Sequence, residues 1–150
     1  MIILKKSTRL SDAIHIMAFI AVGGNNGNLS STAIAFSLNK NPAQVRQIMS
    51  NLRKNSLITS IPGHVAPTIA KDPANITLRE IYEAVDGKNL LYLNNDTNED
   101  CRVGVEMPII LDEIYNNVQT AALQKLASYS LQDIIDKLNL QVIKKQGNNF

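Results

Sequence analysis

Residues 30–60 constrain the fold of this chain more than any other stretch. They read SSTAIAFSLNKNPAQVRQIMSNLRKNSLITS. Ser30 or Ser31 supplies a side-chain oxygen for a helix N-cap, and Ile34, Ala35 and Leu38 then recur on one helical face. Asn39-Lys40-Asn41 reads as a turn. Asn41 is a good N-cap for the next helix, and Pro42 falls at its first position, where a missing N–H costs nothing. From there Val45, Ile48, Met49 and Leu52 form a buried stripe, which leaves Ala43, Gln44, Arg46 and Gln47 on the outward and leading faces. Two short helices joined by a tight turn, the second polar at its start and ending in Arg53-Lys54, form the pattern of a helix-turn-helix that lays one helix in the DNA major groove.

The flanking sequence extends this unit. A first helix is expected from Ser7 or Thr8 to Val22, with Leu10, Ala13, Ile14, Met17, Ala18 and Ala21 on its buried face, and the Gly/Asn-rich run 23–28 stops it. Leu57 to Ser60 reads as a strand, Pro62-Gly63 as a turn, and Val65 to Ile69 as a returning strand with Pro67 at an edge or bulge. A hairpin after three helices suggests a winged helix. Thr77 and Glu80 have capping-box spacing ahead of a fourth helix that ends at Val85. Asp86 to Val103 is polar and irregular. Pro108 is then expected to open a long helix to about Ser128, and Ser130 to cap a last one over Leu131 to Asn139, with a frayed tail from Lys144. The long helix carries Ile110, Leu111, Ile114, Val118 and Ala121 in a stripe wider than one domain covers, so a dimer interface is expected there. The fold class is mainly α with a small β-hairpin wing. The expected division is a winged helix-turn-helix domain over 1–85, a sensor or linker loop over 86–104, and a dimerisation helix with a C-terminal helix over 105–150.

Charge divides along the same line. Residues 1–60 hold seven basic side chains against Asp12 alone, whereas residues 61–150 hold eight basic and twelve acidic ones. A polyanion is therefore drawn to the first part and not to the second. Within a helix-turn-helix, Gln44 and Gln47 can pair with adenine and Arg46 with guanine. The helix N-termini at Ser31 and Thr32 and at Asn41 and Ala43 offer N–H groups to phosphates, and Lys5, Arg9, Arg53 and Lys54 are candidate backbone clamps. The reading is a regulator that binds double-stranded DNA, and not an enzyme.

Other chemistries find less support. His15 and His64 lie far apart, with one cysteine in the whole chain, and no zinc spacing exists. His15 reads as structural, and His64 falls at the wing tip, where it could meet solvent or a phosphate. Asp96, Asn98 and Asp100 resemble the start of a calcium loop, but Cys101 stands where that loop needs glycine and Met107 where it needs glutamate. The longest apolar stretch, Ala13 to Val22, is too short to span a bilayer, so no membrane partner is expected. A single cysteine fits a reducing cytoplasm. Cys101 stands beside Arg102, which favours a reactive thiol, while Asp100 opposes it.

Taken together, Ser7-Thr8-Arg9-Leu10 with Ala13-Ile14-His15, Val45-Arg46-Gln47-Ile48, Leu52 to Ser60, Lys71 to Leu78 leading into Ile81 to Val85, and Cys101-Arg102-Val103-Gly104 resemble the Rrf2-type winged helix-turn-helix regulators over nearly the whole chain. The likeness is strongest to the YwnA-like, cluster-free branch of that family. It implies a homodimer crossed by the long helix, a palindromic operator, a repressor's role, and operator contacts from Asn41, Ala43, Gln44, Arg46, Gln47 and the wing. Cluster-binding members carry three cysteines before the long helix, and this chain has only Cys101 there, so no cofactor and no iron–sulfur cluster is expected. Some cluster-free members sense oxidants through a cysteine in this loop, which makes Cys101 a candidate redox sensor. The wing departs from the family pattern: residues 61–67 lack its Arg-Gly and Gly-Gly pairs, and His64 is a weak substitute for the arginine. An alternative therefore stands beside the first reading, a winged-helix protein-interaction or ligand-sensing module that does not use redox chemistry or has lost DNA binding.

Overall fold

The computed structural model describes residues 7–24, 26–60 and 66–148. Lys5 and His64, and with them the tip of the expected wing, lie outside the described residues.

Helix α1 spans Arg9–Ala21, α2 Ser31–Leu38 and α3 Pro42–Lys54. The Ser30 side chain accepts the N–H of Ala33 and starts α2. Asn39 closes α2 in the left-handed region at φ 55°, which an asparagine tolerates. Asn41 accepts the N–H of Gln44, and Pro42 follows at the first position of α3. All four expected stripe residues of α3, Val45, Ile48, Met49 and Leu52, are buried. Ser56, also left-handed at φ 58°, turns the chain out of α3, with Leu57 donating to the Leu52 carbonyl. Strands β1 (Ile58–Thr59) and β2 (Thr68–Ile69) pair antiparallel, Ile58 opposite Ile69 and Thr59 opposite Thr68, and so form the base of the wing. A 3-10 turn at Pro73–Asn75 leads to α4 (Leu78–Val85), which begins with the expected capping box of Thr77 and Glu80.

The core is aliphatic and gathers around α1, which packs on α3, α4, α6 and β2. That enclosure explains a difference from the expected buried face. Ile16 and Ile20 are buried along with Ala13, Met17 and Ala18, while Leu10, Ile14 and Ala21 are only half-buried. A helix covered from several directions has more than one buried stripe.

Helix α5 spans Arg102–Ala127 and α6 Leu131–Gly147. The start of α5 corrects the sequence expectation: Pro108 lies inside the helix rather than opening it. An interior proline leaves the carbonyl four residues earlier without its N–H partner. Here that carbonyl belongs to Gly104, and the Thr97 hydroxyl donates to it. A side chain at Gly104 would run into the Asn98 backbone, so the loop lies directly on the helix at this glycine. The polar loop thus ends at Cys101. Helix α6 runs eight residues beyond the expected end at Asn139, so that 144–147, expected to be frayed, are helical.

No residue of α5 is buried. Gly104, Pro108, Leu111, Tyr115, Gln119, Ala122 and Leu126 are half-buried along the side facing the loop and α4. Gln119 there accepts the Leu90 N–H at 2.9 Å. A second stripe, Val103, Met107, Ile110, Ile114, Val118 and Ala121, is exposed. Of the five residues expected at a dimer interface, Leu111 therefore turns toward the rest of its own chain, and the other four share the exposed stripe.

Candidate nucleic-acid interface

The leading edge of α3 is the best-defined part of the candidate site. Ala43, Gln44, Arg46 and Gln47 are all exposed, because the four apolar positions between and beyond them anchor the opposite face in the core. Asn41 is exposed too, but its side-chain oxygen is engaged by the Gln44 N–H at 2.9 Å. Its amide nitrogen and the second lone pair of that oxygen remain to approach a ligand. Asn41 thus serves first to start the helix.

Positive charge lies at both ends of this edge. Arg53 and Lys54 are exposed in the last turn of α3, where cations also suit the helix dipole. Arg53 Nε donates to Ser60 Oγ at 2.7 Å, which ties the guanidinium to the base of the wing. At the other end, Arg9 enters from α1. Together with Ser7, Thr8, Lys40, Gln44 and Gln47 it lines a pocket of about 220 Å³. The start of α1 and the face of α3 therefore share one cleft, a proximity that sequence spacing does not reveal. Arg9 Nε is buried there with no hydrogen-bond partner among the described residues. Lys40 is held by Asp12 at 3.4 Å and by the Thr8 hydroxyl at 3.1 Å. The one acidic residue of the basic segment thus neutralises the lysine in the turn and leaves Arg46, Arg53 and Lys54 unopposed by it.

Helix α2 presents Thr32 exposed and Ser31 half-buried near its N-terminus, where backbone N–H groups point outward. One of these, Ala33 N–H, is already taken by the Ser30 hydroxyl. Phe36, one turn beyond Thr32, is 85% exposed, and the sequence reading missed it. The pattern held a clue: Phe36 falls outside the Ile34, Ala35 and Leu38 face. His15 is exposed, not buried, and its Nε2 meets Ser37 Oγ at 2.7 Å, linking α1 to α2.

Cys101 is exposed and occupies the N-cap position of α5, with no side-chain capping bond. It stands well apart in the chain from the α3 edge and belongs to the junction of loop and long helix. Among the described residues no group of three or more His, Cys, Asp or Glu is placed to hold a metal ion. Among them, too, no helix is long and apolar enough to cross a membrane.

Comparison with known proteins agrees with this architecture. The profile of the Rrf2 family, described as an iron-dependent transcriptional regulator, matches residues 6–137. YwnA of Bacillus subtilis (strain 168), named as an HTH-type transcriptional regulator, is 38% identical over 133 residues, covering 88% of this chain and 98% of YwnA. The solved structure of CymR, the global cysteine regulator of B. subtilis, is 25% identical with a TM-score of 0.62, covering 89% of this chain and 98% of CymR. IscR of T. potens shares the fold at 20% identity and a TM-score of 0.65, with 90% of this chain and 88% of that one covered.

Proposed function

Because the chain belongs to the Rrf2 family of transcriptional regulators, we propose that it binds a palindromic DNA operator as a homodimer and represses transcription there. The observation that carries this reading is the exposed edge of α3. Gln44, Arg46 and Gln47 are held outward by a buried stripe, with Arg53 and Lys54 at one end and Arg9 in the same cleft at the other. Glutamine and arginine at the start of a recognition helix have the donor and acceptor pattern for adenine and guanine edges. The cations and the N-terminus of α2 around Ser31 and Thr32 would hold the flanking phosphates.

Two-fold assembly is supported by α5. Its exposed stripe of Val103, Met107, Ile110, Ile114, Val118 and Ala121 is contiguous and apolar, a surface that a second copy can cover. A symmetric dimer presents two reading helices related by a two-fold axis, and a palindrome is the DNA counterpart of that symmetry. A dimer seated over a promoter would exclude polymerase, which is the repressor's role.

The family description names iron, but the donor set does not fit an iron–sulfur cluster. Such clusters are held by several thiolates, and this chain has one cysteine. We therefore take the regulator to work without a cluster. Cys101 offers a different signal. It is exposed and stands where the loop meets the long helix, so modification there bears on the orientation of α5. Net, hypochlorite would give its oxygen to the thiol, forming a sulfenic acid, and leave as chloride. The protein would act in the cytoplasm, where its DNA lies.

Duplexes selected from a random library by the purified protein test the reading. Binding measured at two salt concentrations should weaken steeply with salt, because each neutralised phosphate releases counterions. Failure to enrich any sequence, with a flat salt response, would overturn it. That result would favour the protein-interaction or ligand-sensing module that the unusual wing sequence motivates.

A further inference from the structure

Besides packing on α4, helix α5 is joined to the DNA-reading domain by two chain connections of unlike build. Its entry is the stretch from Asp86 to Cys101, which has no regular structure. Its exit is built differently. After α5, Tyr129 to Leu131 pairs with Ile76 to Leu78 as an antiparallel bridge, Thr77 opposite Ser130. The Leu78 N–H donates to the Tyr129 carbonyl at 3.0 Å, and the Leu131 N–H donates to the Ile76 carbonyl at 2.8 Å.

A capping box lies on each side of this bridge. Thr77 Oγ1 accepts the Glu80 N–H while Glu80 accepts the Thr77 N–H. Ser130 Oγ accepts the Asp133 N–H while Asp133 accepts the Ser130 N–H. Both sides are nailed into the core, since Ile76 and Leu131 are fully buried. Lys71 braces the Glu80 carboxylate at 2.8 Å. Backbone groups that helix N-termini ordinarily leave to solvent are here satisfied by each other and by fixed side chains. Such a joint has little freedom to swing.

We propose that the Thr77–Ser130 joint sets the spacing between operator half-sites that the dimer accepts. The proposal rests on the dimeric reading above and adds the part of the molecule that fixes its geometry. The leverage is large. At 1.5 Å per residue the 26-residue α5 is about 39 Å long, so a swing of about 10° at its exit moves its middle by about 3.4 Å, the rise of one base pair. Residues at the joint touch no DNA in this scheme. They are positioning residues, and their effect falls on spacing rather than on base preference.

Leu78 permits a clean test. It is the first residue of α4, where proline is tolerated, and Thr77 before it is already extended at φ −90° and ψ 154°, as a residue preceding proline must be. Leu78→Pro removes the N–H that donates to Tyr129. Leu78→Ala loses the same side chain and keeps that N–H. Half-sites are first defined by selection from a random library with the wild-type protein. Affinities are then measured on duplexes with one base pair inserted or removed between half-sites, and on a single half-site.

Wild type and Leu78→Ala are expected to prefer the native spacing by about tenfold, as a register error on DNA requires, and Leu78→Pro to lose most of that preference while binding a single half-site like Leu78→Ala. A spacing profile in Leu78→Pro equal to that of Leu78→Ala would overturn the proposal. A mere loss of stability lowers every affinity alike and leaves the profile unmoved. If Leu78→Pro does not fold, the double variant Thr77→Ala/Ser130→Ala, which loosens the joint by removing both capping hydroxyls, is compared with wild type, and an unchanged spacing profile there overturns the proposal. A wild-type protein that selects no paired half-sites would instead overturn the dimeric reading, and this proposal with it.

Discussion

Gly104→Ala sets two well-measured effects against each other. Replacing a helical glycine by alanine ordinarily stabilises a helix by up to about 1 kcal/mol. At Gly104 the added Cβ would fall well inside contact distance of the Asn98 carbonyl oxygen and only 3.2 Å from the Asn98 nitrogen. Both obstacles are backbone, so the clash is relieved only by lifting the loop from α5. Lifting it breaks the Thr97 bond to the Gly104 carbonyl, for which Pro108 has no N–H to substitute. Overpacking of this kind costs about 1–3 kcal/mol. Leaving a carbonyl without its partner costs about the same. Whichever response is cheaper, the expected net effect is a loss of about 1–2 kcal/mol. Urea unfolding at fixed protein concentration reads it, since the stability of the proposed dimer would depend on concentration. With a slope of about 1–3 kcal/mol/M, the midpoint should fall by roughly 0.3–2 M. Thr97→Val alone should cost about 1 kcal/mol. The double variant should cost less than the sum, because a displaced loop has no hydroxyl bond left to lose. A Gly104→Ala protein more stable than wild type would refute the placement of the loop on the helix.

Lys54→Ala should weaken binding to all duplexes alike and reduce the salt slope by about 1, measured by titration at several salt concentrations. The Glu80 carboxyl is held below its ordinary range, first by the Lys71 hydrogen bond and then by the Thr77 N–H, against a smaller opposing effect of burial. A carboxyl with a lowered folded pKa stabilises above its unfolded value and loses that contribution as pH falls through the folded one. Glu80→Gln can keep the capping box without titrating, so the stability difference between wild type and variant should be present at neutral pH and shrink in acid. Thermal melts across pH check this, and a difference that grows in acid would contradict it. Cys101→Ser should bind the selected duplex normally and keep it in the presence of hypochlorite, under which wild type is expected to let go. Equal release by both proteins would end the thiol reading.

Helix α3 was legible because its signals are local. Asn41 and Pro42 mark the start of α3, and Val45, Ile48, Met49 and Leu52 mark its buried face within a few residues of one another. The capping box at Thr77 and Glu80 was legible for the same reason. The start of α5 was not. Proline is common at a first helical position, and only the Thr97 hydroxyl, reaching from the loop, accounts for Pro108 seven residues into the helix. Ile16 and Ile20 were missed because α1 is enclosed by α3, α4 and α6, and one periodic stripe cannot report several neighbours. In the candidate interface, the exposed α3 side chains could be read from periodicity. The engagement of Lys40 by Asp12, and the approach of Arg9 to Gln44 and Gln47, depend on tertiary packing and could not.

The central claim is that the edge of α3 reads bases. Arg46→Ala, measured by titration on the selected duplex and on a scrambled duplex of equal length, tests it most directly. The account predicts a loss of about 1–3 kcal/mol on the selected sequence, from a few-fold to over a hundredfold in Kd, and a loss of only a few-fold on the scrambled one. Equal losses on the two duplexes would mean that Arg46 holds phosphate only, and that α3 does not read sequence through it.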